Sequence, residues 1–289
     1  ETVCCALGDF LADRFEANSC QYDFTLPSAR QTFPVISSDD LAVFAVPTYA
    51  GRVPNVLLKY LDTINGNGAK AIALVTFGNR NFDNSLIELA DILNSHNFTV
   101  AAAGAVGCQH SFSQILGKGR PDRDDLSELE TFAENIFNKL LGDLNCQPEA
   151  HSTIEKHQPS LSIPGLPYPY GGYYKPKDRY GNPIDIRKVT PKVSKNCTQC
   201  GLCARVCPMG SISFEDVSRL NGICIKCNAC IKKCPSASRY FDDAGYLYHK
   251  KELEEMKKAA MGGEADAMVA GAKQINGVKL ICKEFADYQ

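Results

Sequence analysis

Several features that would settle a class quickly are missing from this chain. No apolar run approaches the length of a membrane span, and no segment resembles a secretory signal. The expected setting is therefore the cytoplasm, with no membrane association. Without a signal peptide, the 14 cysteines argue against a disulfide scaffold and for metal or redox chemistry in a reducing compartment. A side-chain pattern suited to substrate acid–base chemistry is also lacking. A substrate-converting enzyme is therefore not the first expectation.

Net charge is small, at −2, but it is unevenly spread. Residues 1–145 contain 10 Lys/Arg and 18 Asp/Glu, a balance of −8. Residues 187–240 contain 10 Lys/Arg against Glu215 and Asp216, a balance of +8. A length of 289 residues suggests about two domains, and 44% hydrophobic content suffices for a real core. The acidic part and the basic, cysteine-rich part are the natural division.

The acidic part alternates helical and continuous apolar segments. "ETVCCALGDFLADRF" places Val3, Leu7, Phe10, Leu11 and Phe15 on one helical face, with Thr2 as the expected N-cap. "SCQYDFTL" (19–26) reads as a short strand, "LAVFAVP" (41–47) as a fully apolar one, and "VPNVLLKYLDTI" (53–64) as a helix admitting Pro54 in its first turn. "AIALVTF" (71–77) and "FTVAAAGAVG" (98–107) are further strands. "SLIELADILNSH" (85–96) and "DLSELETFAENIFNKLLG" (125–142) are helices. Strands apolar on both faces, alternating with helices, predict an α/β doubly wound parallel sheet. Ligands of such sheets sit beyond the carboxyl ends of the strands. "TYAGRVPN" (48–55) and "GNRNFDN" (78–84) occupy that position. His110 could approach the same crevice, but a lone loop histidine is more often a hydrogen-bonding residue.

The basic part carries the most specific signal. "CTQCGLCARVCP" sets Cys197, Cys200, Cys203 and Cys207 in C-x2-C-x2-C-x3-C-P. "CIKCNACIKKCP" repeats the run with Cys224, Cys227, Cys230 and Cys234, each displaced by 27 residues. This is the bacterial ferredoxin run, in which the fourth cysteine ligates the other cluster. One [4Fe–4S] cluster is thus expected on Cys197, Cys200, Cys203 and Cys234, and the other on Cys224, Cys227, Cys230 and Cys207. Structural zinc also uses C-x2-C pairs, but those usually stand apart, without three cysteines recurring every third residue. Two cubanes of about 2− each would reduce the balance of this part to about +4. Such positive surroundings raise cluster potential and favour docking on the acidic part. No nucleic-acid recognition motif accompanies the basic residues. The expected partners are redox proteins, not nucleic acid.

"VPTYAGRVPN", "TFGNRNFDNSLIEL" and "GAVGCQHSFS", taken with the cysteine runs, resemble the family in which a flavodoxin-like domain is fused to a two-cluster ferredoxin. The resemblance covers about residues 1–255 and implies a flavodoxin-like fold plus a small α+β ferredoxin domain. It implies FMN in an intact chain, with its ring between Thr48, Tyr49, Ala50, Gly51 and Arg52 on one side and Phe77, Gly78, Asn79 and Arg80 on the other. In strand order 2-1-3-4-5, the first strand and the phosphate loop would precede Glu1. The chain keeps both ring-side loops but lacks that phosphate cradle. A flavin would allow two electrons to be collected from one-electron clusters. The alternative is an α/β domain that binds no flavin and docks a partner.

The expected organisation is a flavodoxin-like domain at 1–145, a linker rich in Pro, Gly and Tyr at 146–186, a ferredoxin domain at 187–242 and a helical tail at 243–289. The linker tyrosines are expected to pin it along the domains it joins. "LYHKKELEEMKKAA" (247–260) reads as a charged helix. Residues 263–285 are similar to the C-terminal region of alanyl-tRNA synthetases, a match too short to import an RNA function, and admit a docking helix and strand.

Overall fold

The computed structural model describes residues 1–145, 161–262, 274–275 and 278–281. Expectations for residues 146–160, and for most of the tail beyond 262, lie outside the described residues.

Three parallel strands organise the first half: β1 (Leu41–Pro47), β2 (Lys70–Phe77) and β3 (Thr99–Gly107), paired in that order. Their two-sided apolarity is used in full. Ile72 and Leu74 of β2 face the helices α1 (Thr2–Phe15) and α4 (Arg123–Asn145), whereas Ala71, Ala73 and Val75 face α2 (Asn55–Leu61) and α3 (Ser85–Ser95). The period-2 alternation of a strand therefore feeds two separate cores across one sheet. Helix α1 buries Val3, Leu7 and Leu11, one residue per turn, against α4 and the sheet.

Several local expectations are corrected. Thr2 lies inside α1, and Glu1 is its N-cap without a side-chain cap. Residues 19–26 form no strand. Their side chains find partners without a ladder: the Tyr22 hydroxyl donates to the carbonyls of Ala29 and Thr32, and Phe24 packs on Tyr60. Among the described residues β1 pairs only with β2. Helix α2 is shorter than the apolar pattern, with Pro54 as its N-cap because the ring fixes the chain before the first turn.

In the second half, β4 (Lys192–Val193) pairs antiparallel with β5 (Arg239–Tyr240), and Ile212 bridges Leu220. Short helices α5 (Leu202–Arg205) and α6 (Ala229–Lys232) follow the two cysteine loops. The 27-residue repeat thus extends from the cysteines to the backbone: Val193 corresponds to Leu220, and Ile212 to Arg239. The core here is small, built on Ala204, Ile212, Val217 and Cys230.

Helix α7 (Ala244–Gly262) follows. The tail does not remain helical. β6 (Gln274–Ile275) pairs antiparallel with β7 (Val278–Ile281), and β7 adds in parallel to β3, with Ala103 opposite Val278. The segment "VKLI" thereby pairs the edge of β3 that β2 leaves open, which a helix could not hydrogen-bond. Among the described residues no helix is long and apolar enough to cross a membrane.

Candidate metal centres and the loops that face them

Each cysteine loop coils through left-handed backbone. Gln199 and Gly201 (φ 55° and 71°) do this in the first loop, and Lys226 and Asn228 (57° and 58°) do so at the repeat-related positions of the second. The coil turns main-chain N–H groups inward. Gln199 N–H donates to Cys197 Sγ at 3.4 Å. After each fourth cysteine a serine N–H does the same, Ser211 to Cys207 at 3.4 Å and Ser238 to Cys234 at 3.3 Å.

The eight sulfurs fall into two groups. Cys197, Cys200, Cys203 and Cys234 line one cavity, with Leu202 and Val217. Cys207, Cys224, Cys227 and Cys230 line the other, with Ile212, Leu220 and Phe241. Among the described residues no three His, Cys, Asp or Glu side chains converge on a single ion. The thiols surround a space, as a four-iron cubane requires and a mononuclear zinc does not.

Burial raises the Cys224 and Cys227 thiols and pushes Cys230 up to about 12, with Arg239 opposing the rise at Cys230. Burial also acts on Cys234, but hydrogen bonds from the Ser236 hydroxyl and the Ser238 N–H outweigh it and lower that thiol. Thiols held protonated in apolar cavities become ligands when a metal displaces the proton. Buried Arg239 also fits an anionic occupant, since its Nε and Nη1 have no hydrogen-bond partner in the protein.

Residues 191–213 match a family model described as a 4Fe–4S binding domain, and residues 221–245 match a second model of the same description. The chain carries two 4Fe–4S binding domains. No curated protein and no solved structure matches the chain. The two matched segments contain all eight cysteines of the paired runs.

The loops after β1 and β2 come together at the carboxyl ends of the strands, and their groups are taken up by this chain. Tyr49 to Arg52 form a tight turn in which Tyr49 and Arg52 exchange both main-chain hydrogen bonds and Ala50 and Gly51 have φ of 49° and 78°. A Cβ on Gly51 would come within 2.5 Å of Asp83 Oδ2. Ala50 O accepts from Tyr174 N–H, and Thr48 bonds Ser85 at 2.7 Å. Arg52 makes a bidentate pair with Glu88, both contacts at 2.6 Å, donates to Gly171 O and is stacked by Tyr170 and Tyr173. In the second loop Phe77 packs on Phe82, Asn79 accepts from Arg120, and Arg80 lies 4.5 Å above the Tyr174 ring. Gly78 abuts His110 so closely that a Cβ would lie 2.4 Å from the ring.

The 4Fe–4S domains close over this same end of the sheet. Tyr49, partly buried, lies beside Cys227 and Cys224, and burial holds its hydroxyl well above its ordinary pKa. Lys232 Nζ donates to His110 O at 2.6 Å, and Ser113 bonds Glu254 of α7 at 2.6 Å. Phe112 packs on Tyr246 and His249, and Tyr174 on His249. Linker tyrosines hold to the first unit as expected: Tyr173 donates to Val53 O at 2.8 Å and Tyr170 to Asp91 at 2.5 Å.

Sequence reasoning passed over Glu88, His249 and Arg239. Glu88 is hidden in a helical pattern that reads as solvent-facing. Arg239 had a detectable signal: shifting the sequence by 27 residues aligns a cation with the apolar Ile212.

Proposed function

We propose that this chain is an electron-transfer protein holding two [4Fe–4S] clusters, one on Cys197, Cys200, Cys203 and Cys234 and one on Cys207, Cys224, Cys227 and Cys230. When bound, the clusters supply one-electron exchange. The chain's residues supply everything else. Apolar side chains exclude water from the cavities, serine and glutamine N–H groups meet the sulfurs, and the Lys/Arg excess favours the reduced state. The observation that carries the reading is the grouping of the sulfurs: each cavity takes three cysteines from one run and the fourth from the other.

The N-terminal unit is, in this reading, a flavodoxin-like domain that docks the clusters and binds no flavin. FMN does not fit the loops as they stand. Arg52, Asn79 and Arg80 are engaged by Glu88, Arg120 and Tyr174, Gly78 faces His110, and Tyr49 faces Cys227. A ring between these loops would have to displace the linker and the second cysteine loop. Redox proteins are the proposed partners, exchanging electrons with the clusters in the cytoplasm.

The experiment is reduction of anaerobically purified full-length chain by dithionite, followed by electron paramagnetic resonance. Signals of reduced [4Fe–4S] clusters are expected, without a flavin semiquinone. A spectrum lacking cluster signals in iron-loaded protein would refute the reading.

A further inference from the structure

The inference rests on the reading of the two cysteine cavities as cluster sites and concerns a residue outside the ligand set. Arg239 is only 3% exposed. Its Nη2 donates to Val217 O, whereas Nε and Nη1 find no partner. The acids nearest in sequence do not pair with it: Asp242 pairs with Lys192, Asp243 accepts from the Tyr246 N–H, and among the described residues no ion pair includes Arg239. A buried guanidinium with two idle donors is costly unless something anionic completes it.

The position of the guanidinium says what that is. Arg239 lines the cavity of Cys197, Cys200, Cys203 and Cys234. The repeat provides an internal control. Ile212, 27 residues earlier, lies in the equivalent bridge, is equally buried and lines the other cavity. The fold therefore accepts an aliphatic side chain at this place. The charge is thus not a requirement of the fold; the guanidinium lines the first cavity and also bears on Cys224 and Cys230 of the second. Lys226 is not its counterpart, because its ammonium is already bonded to the carbonyls of Arg187 and Cys224.

We propose that Arg239 is a hydrogen-bonding cation for the cluster held by Cys197, Cys200, Cys203 and Cys234, stabilising its reduced state and raising its potential relative to an apolar site. Adding one electron makes the cluster more negative, and two N–H donors on a fixed positive charge strengthen with that change. Arg239 is a tuning residue, not a ligand.

The test compares full-length wild type, Arg239→Ile and Arg239→Lys, purified anaerobically, by redox titration followed by electron paramagnetic resonance. Iron and sulfide are assayed in the same samples. Ile is the side chain the repeat already uses, so Arg239→Ile should load both clusters fully. One of its two reduction waves should move to lower potential, and further than the other. Arg239→Lys keeps the charge and loses the fork, and its shift should be smaller. Fully loaded Arg239→Ile with unchanged waves would overturn the assignment. If Arg239→Ile fails to load, Arg239→Lys decides. Loading with a lowered wave supports the proposal, and failure to load or a wild-type potential overturns it. Wild type without iron and sulfide would instead refute the cluster reading itself.

Discussion

The Tyr49 phenol lies beside Cys227 and Cys224, bringing the tight turn after β1 up to two cysteines of the second cavity. The resemblance places this residue against a flavin ring; in the structure its neighbours include two cysteines of the other half. Ala50 and Gly51 both take left-handed backbone, which reverses the chain within two residues between Tyr49 and Arg52.

This contact predicts a redox effect. A hydroxyl placed beside a ligating sulfur can donate to it as negative charge builds on the cluster, which stabilises the reduced state. Tyr49→Phe removes the donor and keeps the ring. Full cluster content is expected, with one reduction wave at lower potential in a titration of the whole chain. Unchanged potentials would mean that the hydroxyl does not reach the site.

The pair of Arg52 and Glu88 predicts a stability effect. Glu88 accepts both arms of Arg52 and the N–H of Val53 while its side chain is 3% exposed. Glu88→Ala would leave a shielded guanidinium and a main-chain donor unpaired, a loss of roughly 3–5 kcal/mol. Urea unfolding at neutral pH should show it as a lower midpoint. Arg52→Met, which removes the charge along with the pair, should cost less than Glu88→Ala. The reverse order would contradict a buried ion pair.

How much of this was legible in the sequence differs between the two halves. The three parallel strands and their helices were readable because each strand is apolar on both faces. The eight cysteines were readable because cluster ligation demands fixed spacing. Residues 19–26 misled because Tyr22 and Phe24 there serve a hydroxyl bond and a ring contact, not a ladder. The fate of the Tyr49 and Arg52 loops was not readable at all. Loop composition states what a loop can bind, but the competing partners, Glu88, Tyr174 and Cys227, lie 36 to 178 residues away in the chain.

Acid should loosen the junction between the halves. Burial, reinforced by Lys232, His249 and Arg80, lowers His110 to about 4, and burial with Arg80 lowers His249 to about 4. Their unfolded values are near ~6.5, so the folded state favours the neutral rings. Their contribution is fully present above ~6.5 and is lost as pH falls from there towards 4. Melting followed by circular dichroism should show stability falling between pH 7 and pH 5. A His110→Gln/His249→Gln variant should flatten that slope, and an equal slope in the variant would count against the assignment.

Removing the metal should unfold one half selectively. The core of the 4Fe–4S domains rests on Ala204, Ile212, Val217 and Cys230, too little to hold an empty fold. After chelation and sulfide loss, hydrogen exchange should become fast across 191–245. Amides of β2 and β3, in the larger two-sided core, should remain protected. Protection persisting in 191–245 without iron would show that the clusters are not needed for folding.

The most direct test is the composition of the full-length chain purified without oxygen: iron, acid-labile sulfide, zinc and extractable flavin per polypeptide. Two four-iron clusters require about eight iron and about eight sulfide per chain, with flavin well below one. A colourless protein containing zinc and no sulfide would contradict the clusters. One FMN per chain would contradict the reading of the N-terminal unit as a flavin-free dock.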